Sequence, residues 1–457
     1  MPDNDEHPLQ ERLDTLIEQH RVPGAVIGIQ MQGARTFAAA GVLGTRTGVS
    51  ATVDSLFKIG SITKVWTAVL IHQLTEEGLL DVDAPVVDVL PDFRLRDPDA
   101  ARHITLRQLL NHTSGIDGDM YADTGRGDDA LARYVDLLAD VGTIHAPGAA
   151  LSYCNAGYNL AGRIVEVLRG TTWERALHDR ICTPLGLADT VTFAEDAILH
   201  RAAIGHVVDA DGALTQTGTW AVPRSSGPSA VIATTAADLL SFSSCFLTDA
   251  DASGLFRSPA SPRAMLVPEH PVPIPGMGVS AWGQGWFHVD WDGHHAIGHD
   301  GASSGQRAYL RVFPDDGLVV TLLTNGGNGG ALFRDLVAPV VHEQIGATAP
   351  ARIDATPAAV VDDSSRPGLY VRDTERNEVY RDDDGRLRMR QTWTGALLDG
   401  EDPDDLVDEF FLRAVDESTF IASAAPDGAG EPVSFMSVDG VEMLCFLMRA
   451  SPRVGGA

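Results

Sequence analysis

The sequence is poor in positive charge, and lysine in particular is almost absent. Its 457 residues include 34 lysines and arginines against 63 aspartates and glutamates, which gives a formal net charge of −29. A chain with this charge repels phosphate backbones and anionic membrane surfaces at long range, so no nucleic-acid or membrane partner is expected. Lys58 and Lys64 are the two lysines, and any chemistry that requires a lysine amine depends on one of them.

Cysteine is also scarce, and long apolar runs are missing. The four cysteines, Cys154, Cys182, Cys245 and Cys445, have no Cys-x-x-Cys spacing, and we expect them to be reduced thiols. No run approaches the roughly 18 apolar residues that a membrane span requires. The acidic N-terminus lacks the basic and apolar regions of a secretory signal. These absences predict a cytoplasmic protein, although a removed signal would leave the same mature sequence.

The chain contains two regions of different pattern. Between residues 8 and 346, helical periodicities lie between strand patterns near both ends, which predicts an α+β fold whose first and last strands come together around a helical insertion. Residues 347–367 are rich in Ala, Pro, Asp and Ser and are interpreted as a linker. Residues 368–457 contain short strand patterns separated by turn signals, and they predict a smaller all-β domain, a barrel or a sandwich.

Both lysines follow a serine by three residues, in Ser55-Leu-Phe-Lys58 and in Ser61-Ile-Thr-Lys64. Residues 53–59 have an extended pattern, in which positions i and i+3 point to opposite faces. Ser61 lies where a helix begins, so Ser61 and Lys64 are expected one turn apart on the same face. The helix N-terminus favours a developing alkoxide, and the amine can take or stabilise the hydroxyl proton. The alternative is that Ser61 only caps the helix.

A second candidate element is Tyr153-Cys-Asn155, which precedes an amphipathic helix. A phenol near a lysine ammonium has a lowered pKa, so Tyr153 could act as a general base toward Ser61 and as a general acid toward a leaving group. The Asn155 amide can bind a substrate carbonyl. Alone, a Tyr-x-Asn pattern indicates little.

The third element is Gly298-His299-Asp300-Gly301-Ala302, in which glycines beside a strand allow close approach of a substrate backbone. The Ala302 amide could join the Ser61 amide as a two-donor oxyanion hole. His299 could steer a substrate carboxylate or form a hydrogen bond near the tyrosine. Each of these roles requires that the three elements meet in the fold.

Three other patterns have a structural explanation that we favour. His288, His294, His295 and His299 are close in sequence, but strands would splay their side chains, and neither a metal nor another cofactor is expected. His112, in Asn-His-Thr-Ser-Gly, is interpreted as a structural histidine at a helix end. The alternating Arg386, Arg388 and Arg390 are interpreted as a solvated strand face paired with nearby acids rather than as an anion-binding stripe.

Taken together, the motifs resemble the serine β-lactamase-like family, which includes class C β-lactamases, DD-peptidases, D-aminopeptidases and lipase-like esterases. Residues 104–116, 184–190 and 235–238 match further family patterns. The resemblance covers about residues 8–345 and implies a penicillin-binding-protein-like α/β sandwich, an antiparallel sheet flanked by helices with an added helical region. Residues 368–457 resemble the lipocalin-like β domain that some members carry.

The resemblance also implies a mechanism. Ser61 would be the acyl-accepting nucleophile, Lys64 would assist its deprotonation, and Tyr153 would relay a proton to the leaving group. Asn155 would orient the substrate, and His299 to Gly301 would fill the third motif. The sequence departs from lactamases at His299, where they usually carry lysine, and this disfavours β-lactam hydrolysis. Asp300 is expected to add negative charge beside the pocket.

The sequence therefore predicts a serine hydrolase that acts on a small amide or ester substrate, in particular a peptide or amide with a D-residue. An esterase or transacylase of secondary metabolism, a β-lactamase, and a binder that is acylated without turnover remain alternatives. The β domain could cap the active site or form the interface of a homo-oligomer.

Overall fold

The computed structural model describes residues 6–208, 212–252, 254–351, 353, 361–394 and 407–454. The chain divides into two units. The first unit comprises Met1–Leu80, Val165–Val267 and Gln284–Pro350, and the second comprises Asp81–Ile164, Pro268–Gly283 and Ala351–Ala457. Residues 352 and 354–360 of the predicted linker lie outside the described residues.

The first unit contains an antiparallel sheet, in which a strand from the beginning of the unit pairs with a strand from near its end. The strand Gly24–Met31 pairs with Ala34–Gly41 on one side and with Leu318–Thr324 on the other. This arrangement confirms the predicted meeting of the first and last strands. The strands that this unit contributes to the sheet follow one another in the order Ala34–Gly41, Gly24–Met31, Leu318–Thr324, Gln306–Phe313, His294–Ser303 and Phe287–Trp291.

Helices cover the sheet because their apolar residues recur at helical spacing. In Glu6–Gln19, the buried Leu9, Leu13 and Ile17 are each four residues apart. The helix Ala236–Ser244 packs closely on the first strand: an added Cβ at Gly28 would lie 3.2 Å from the Ala236 Cβ. The other α-helices of this unit are Thr63–Glu76, Trp173–Leu177, Thr183–Leu185, Ala194–Ala197, Gly227–Ala230, Ala260–Met265, Gly329–Leu332 and Ala338–Ile345.

The first unit also contains short strands and helical turns. The short strand Phe57–Lys58 pairs with Ala233–Thr234, and His206–Val208 pairs with Leu214–Gln216. The described residues of this unit also form the 3-10 turns Gly60–Ile62 and Arg224–Ser226 and the π-helical turns His178–Cys182 and Phe333–Val337. None of the described helices of the chain is long and apolar enough to cross a membrane.

The second unit combines a helical segment with a closed β-barrel. The helices Pro98–His103, Leu106–Leu110 and Ala130–Leu137 belong to it, with 3-10 turns at Val86–Asp88 and Leu138–Asp140, and the helix Asn155–Arg169 begins in it. Its strands His270–Pro271 and Ala281–Trp282 form a hairpin pair. The eight barrel strands are Gly368–Arg372, Glu375–Arg381, Leu387–Trp393, Val407–Ala414, Thr419–Ser423, Glu431–Val438, Val441–Phe446 and Arg449–Val454.

The barrel encloses its own apolar core. Tyr370, Met389, Phe420, Val433 and Leu444 are among its fully enclosed side chains. The last strand, Arg449–Val454, has no clear apolar alternation in the sequence, because two arginines and a proline interrupt it. The strand before it ends at Phe446, and the next two residues form a turn with positive φ values.

The arginine stripe of the barrel is paired with acids, as we interpreted it. Arg388 lies 3.1 Å from Glu409, and Arg390 lies 2.7 Å from the other oxygen of the same carboxylate. Arg386 precedes the strand and lies 3.5 Å from Asp384. The positive charges of these arginines are therefore balanced by neighbouring carboxylates.

Candidate active site

Ser61 and Lys64 lie together at the start of the first long helix after the sheet's opening strands. A 3-10 turn, Gly60–Ile62, leads into Thr63–Glu76, so Ser61 stands at the N-terminal end of a continuous helical segment. The Lys64 Nζ atom donates to Ser61 Oγ at 3.1 Å and to the Ser229 carbonyl at 2.9 Å. Lys64 is fully buried, whereas Ser61 is partly exposed. The pair therefore has the geometry of a hydroxyl nucleophile with an amine beside it.

The helix that carries this pair is held rigidly by its next turn. Trp66 is fully buried and stacks on Phe242, with ring centres 3.9 Å apart. Thr67 donates to the Pro228 carbonyl at 2.7 Å and accepts from the Trp173 indole at 3.2 Å. These contacts fix the rotation of the helix and hence the direction in which Lys64 points.

The other lysine is bound differently, although the sequence spacing is the same. Lys58 lies in a short strand, and its Nζ atom donates to the Trp220 carbonyl at 2.7 Å and sits 5.2 Å from the centre of the Trp220 ring. Ser55 Oγ accepts from the Thr52 amide at 2.9 Å. Burial lowers the pKa of Lys58 to about 7. The described contacts therefore place this lysine in a structural role.

We expect Lys58→Met to stabilise the fold at neutral pH. The unfolded chain holds the Lys58 proton more tightly than the folded chain does, so burial of this amine costs stability below pH 7 and the cost fades as the pH rises toward the ordinary lysine pKa. At pH 7 the free energy of unfolding of the variant should be about 2–4 kcal/mol higher than that of the wild type, since lowering a pKa by one unit corresponds to ~1.4 kcal/mol. Denaturant unfolding of both proteins at pH 7 and pH 9.5 measures this. A variant that is less stable at pH 7, or a difference that does not shrink at pH 9.5, would contradict it.

Two glycines bring the third motif against the Ser61 turn. An added Cβ at Gly301 would lie 1.8 Å from the Ile59 carbonyl oxygen and 3.1 Å from the Ser61 amide nitrogen. At Gly60, where φ is +50°, it would lie 2.6 Å from the Ala302 amide nitrogen. The Ser61 turn therefore packs closely against the strand segment that carries Ala302, the residue of the second predicted oxyanion-hole donor.

His299 is buried and neutral in this site. Its Nδ1 lies 2.7 Å from the Asp300 carbonyl, which can only accept, so the proton is on Nδ1 and Nε2 is an acceptor. Burial and the charge of Lys64 lower the pKa of His299 to about 3. A neutral His299 carries no positive charge toward a substrate carboxylate, and its predicted role in steering a carboxylate or in hydrogen bonding near the tyrosine stays a prediction.

The negative charge that we expected from Asp300 is compensated. Neighbouring residues of a strand point to opposite faces, and the Asp300 carboxylate forms a two-pronged pair with Arg311 at 2.5 and 3.2 Å. The Arg311 guanidinium also packs against the rings of Phe287 and Phe333, at 4.8 and 4.7 Å from their centres. Asp300 therefore helps to fix the strand and does not add an unbalanced charge.

The neighbouring histidines pair with each other or with an acid. His288 Nδ1 lies 3.0 Å from His295 Nε2, and His294 Nδ1 lies 2.9 Å from Asp316. Within the described part of the chain, no group of three or more His, Cys, Asp or Glu side chains could hold a metal ion.

Tyr153 and Asn155 belong to the second unit, where His112 fixes the loop that carries them. His112 lies directly after the helix Leu106–Leu110 and its C-cap residue, has a φ of +62° and is fully buried. Its Nδ1 accepts the Cys154 amide proton at 3.0 Å, and its ring lies 4.2 Å from the Tyr153 ring centre. This agrees with the structural role predicted for His112.

The last hairpin of the barrel also contacts this loop. The Tyr153 amide donates to the Met448 carbonyl at 2.8 Å, and the Ala450 amide donates to Ser152 Oγ at 3.1 Å. The Arg449 guanidinium lies 5.1 Å from the centre of the Tyr153 ring. The barrel therefore holds the backbone on which Tyr153 sits.

Residues that the sequence analysis missed surround Asn155. Its side chain contacts Asp119 and Tyr121, and Asp119 forms ion pairs with Arg372 and Arg449 of the barrel. A cavity of about 290 Å³ opens beside them, and its lining includes Asp119, Tyr121, Arg372, Trp393 and Arg449. No sequence signal could have joined these residues, because more than 250 positions separate Asp119 from its arginines.

Comparison with known proteins identifies the class that this fold and these motifs define. The model of the beta-lactamase family matches residues 9–341. The chain belongs to the beta-lactamase family, whose members are serine hydrolases.

Three known proteins are similar over most of their length. Penicillin-binding protein 4 of Amycolatopsis lactamdurans is 43% identical over 373 residues, which cover 80% of this chain and 97% of that protein. The crystal structure of SurE is 26% identical with a TM-score of 0.79 and covers 98% of this chain and 99% of SurE, and SurE has also been solved with D-Leu. A D-stereospecific amidohydrolase from Streptomyces sp. is 25% identical with a TM-score of 0.58, covering 72% of this chain and 98% of the other.

Proposed function

We propose that the protein hydrolyses an amide or ester of a small substrate through an acyl-enzyme on Ser61, and that the acyl group is a D-amino-acid residue. The observation that carries this proposal is the 3.1 Å contact between Lys64 Nζ and Ser61 Oγ at a helix start, with the Ala302 backbone packed beside it. SurE, which has been solved with D-Leu, and the D-stereospecific amidohydrolase support the choice of D-residues.

In the proposed reaction, Ser61 Oγ attacks the substrate carbonyl while its proton passes to Lys64. The backbone N–H groups of Ser61 and Ala302 stabilise the oxyanion of the tetrahedral intermediate. Tyr153 gives a proton to the leaving amine or alcohol as the bond to the carbonyl carbon breaks, and the proton held on Lys64 then passes to Tyr153, so both groups regain their starting states. Water next attacks the ester on Ser61 and its proton passes to Lys64. Tyr153 protonates Ser61 Oγ as the acid leaves, and return of the proton from Lys64 to Tyr153 completes the cycle. Asn155 orients the acyl portion, and His299 contributes a neutral acceptor.

Three alternatives use the same nucleophile. An esterase or transacylase would differ in the leaving group or in the second nucleophile, an amine replacing water. A β-lactamase is disfavoured because His299 is neutral and supplies no cation for the carboxylate of a β-lactam. A protein that is acylated without turnover would stop after the first half of the reaction.

Intact-protein mass spectrometry tests the proposal. The protein and its Ser61→Ala variant are mixed with D-alanine p-nitroanilide, a D-alanine thioester, the L-enantiomers of both, and benzylpenicillin. We expect a mass gain of one acyl group with the D-thioester, released product, and no gain in the variant. A slowly released penicillin adduct would fit this function, whereas rapid ring opening would favour a lactamase. Turnover that survives Ser61→Ala, or adducts with none of the compounds, would overturn the proposal.

A further inference from the structure

The short helix Gly227–Ala230 offers two successive carbonyl groups to the helix that carries the nucleophile. The Pro228 carbonyl accepts from the Thr67 hydroxyl at 2.7 Å, and the Ser229 carbonyl accepts from Lys64 Nζ at 2.9 Å. Carbonyls in the last turn of a helix have no partner within it, and a buried carbonyl needs one. Two side chains that lie three residues apart on one helix therefore hold this turn together.

The hydrogen bonds of Thr67 have a fixed direction. The Trp173 indole, which can only donate, lies 3.2 Å from Thr67 Oγ1. The hydroxyl therefore accepts from the indole and gives its own proton to the Pro228 carbonyl. Thr67 and Trp173 are both fully buried, so these bonds are shielded from solvent. The position of the Pro228 carbonyl is thereby tied to the helix at Thr67.

The Ser229 carbonyl sets how the Lys64 amine is presented to Ser61. A carbonyl can only accept, so one N–H of Lys64 points to it whether the amine is neutral or protonated. In the proposed reaction the amine takes the proton of Ser61, whose Oγ lies 3.1 Å away. The carbonyl dipole then stabilises the ammonium that forms, because Lys64 is fully buried. A shift of this carbonyl would misalign the amine and weaken the stabilisation of its charge.

We propose that Thr67 is a positioning residue for acylation: by holding the Pro228 carbonyl, its hydroxyl keeps the adjacent Ser229 carbonyl on the Lys64 amine. This inference rests on the proposed function, in which Lys64 accepts the proton of Ser61. Neighbouring carbonyls are joined by a planar peptide unit, so displacement of one moves the other. The machinery of acylation therefore extends one helical turn beyond Lys64.

Thr67→Val removes the hydroxyl and keeps the shape of the side chain. We expect kcat for a D-alanine thioester to fall about twentyfold with KM within about twofold, because the contacts of the bound substrate are untouched. Thr67→Ser keeps the hydroxyl and should stay within about threefold of the wild type. Thr75→Val is the matched control, since the Thr75 hydroxyl donates to the Ile71 carbonyl of its own helix at 3.2 Å. It should leave kcat within about twofold.

Double variants separate a role through Lys64 from a general loss of structure. In Lys64→Met the amine is gone, so adding Thr67→Val should lower the residual kcat/KM by no more than about twofold. The shifts in thermal unfolding midpoint should also be non-additive, because both side chains hold one turn. A twentyfold loss in both backgrounds, or a folded Thr67→Val protein that acylates at the wild-type rate, would overturn the inference. So would additive shifts in the unfolding midpoint.

If Thr67→Val does not fold, Trp173→Phe serves instead, because it removes the donor to Thr67 and keeps an aromatic ring. We expect kcat to fall about threefold, and this loss to vanish in the Lys64→Met background. An equal loss in both backgrounds would contradict the inference. A wild-type protein that forms no Ser61 adduct would instead count against the proposed function. The unfolding midpoints need no substrate, so they still decide whether Thr67 and Lys64 act on one turn.

Discussion

Lys64→Met should lower kcat/KM for amide and ester substrates by about a thousandfold, whereas Lys58→Met should leave it within about threefold of the wild type. The chain offers this matched pair because its two lysines each follow a serine by three residues. Both are buried, so the two substitutions make similar changes in volume and charge. They differ in what the amine contacts: Lys64 Nζ lies 3.1 Å from Ser61 Oγ, and Lys58 Nζ lies 2.7 Å from the Trp220 carbonyl.

Steady-state kinetics with a D-alanine thioester and single-turnover acylation of Ser61 measure the effect. Loss of the Lys64 amine removes the group beside the nucleophile, so acylation itself should slow, and the Ser61 adduct should form on a correspondingly longer timescale. Thermal unfolding of both variants controls for damage to the fold. Equal losses of activity in the two variants would show that burial of a cation, and not contact with Ser61, explains the effect. Retained activity in Lys64→Met would remove Lys64 from the mechanism.

The pairing of the first and last strands of the sheet could be predicted from the sequence, because these strands are long, apolar and bounded by clear turns. The pairing of Gly24–Met31 with Leu318–Thr324 follows from strand patterns at both ends of a helical insertion. The helix after Gly60 could be predicted from apolar spacing, and its start sets Ser61 and Lys64 one turn apart. Local periodicity carried both predictions, and local periodicity is what a single sequence displays.

Side-chain ionisation could not be predicted in the same way. From the sequence, the protonation state of His299 stayed open and Asp300 was expected to add negative charge beside the pocket, because each residue was considered with its neighbours in the chain. In the structure, burial beside Lys64 keeps His299 neutral, and Arg311 from the adjacent strand compensates Asp300. These effects depend on packing partners from other strands and helices, which the residues adjacent in the chain do not reveal.

The contacts that the barrel makes within the second unit could not be predicted from the sequence either. A cap over the active site and an interface between subunits both remained open for residues 368–457. The structure adds that the barrel supplies Met448 and Ala450 as backbone partners of the loop with Tyr153, and Arg372 and Arg449 as partners of Asp119. Arg449 and Ala450 begin the last strand of the barrel, whose apolar alternation is interrupted by two arginines and a proline. Polar side chains that face a protein neighbour give a strand the same signature as a solvent-exposed segment.

Gly301→Ala should lower kcat by about 10²–10³-fold while leaving KM within a few fold, because the oxyanion hole acts mainly in the transition state. The added methyl group would lie 1.8 Å from the Ile59 carbonyl oxygen, so the strand His294–Ser303 must move away from the Ser61 turn. That movement separates the amides of Ser61 and Ala302. The hydroxyl of Ser61 and the amine of Lys64 lie on the helical side of this contact and keep their 3.1 Å separation.

Gly330→Ala is the matched control, since a Cβ at that position would have its nearest neighbour, the Tyr309 hydroxyl, at 3.7 Å and meets no clash. Pre-steady-state kinetics separates acylation from release of the acyl group, and both should slow in Gly301→Ala because both pass through a tetrahedral oxyanion. Circular dichroism and the thermal midpoint establish that the variant is folded before rates are compared. A folded Gly301→Ala protein that acylates as fast as Gly330→Ala would show that the close approach of these two backbones is a packing feature and that the oxyanion is stabilised elsewhere.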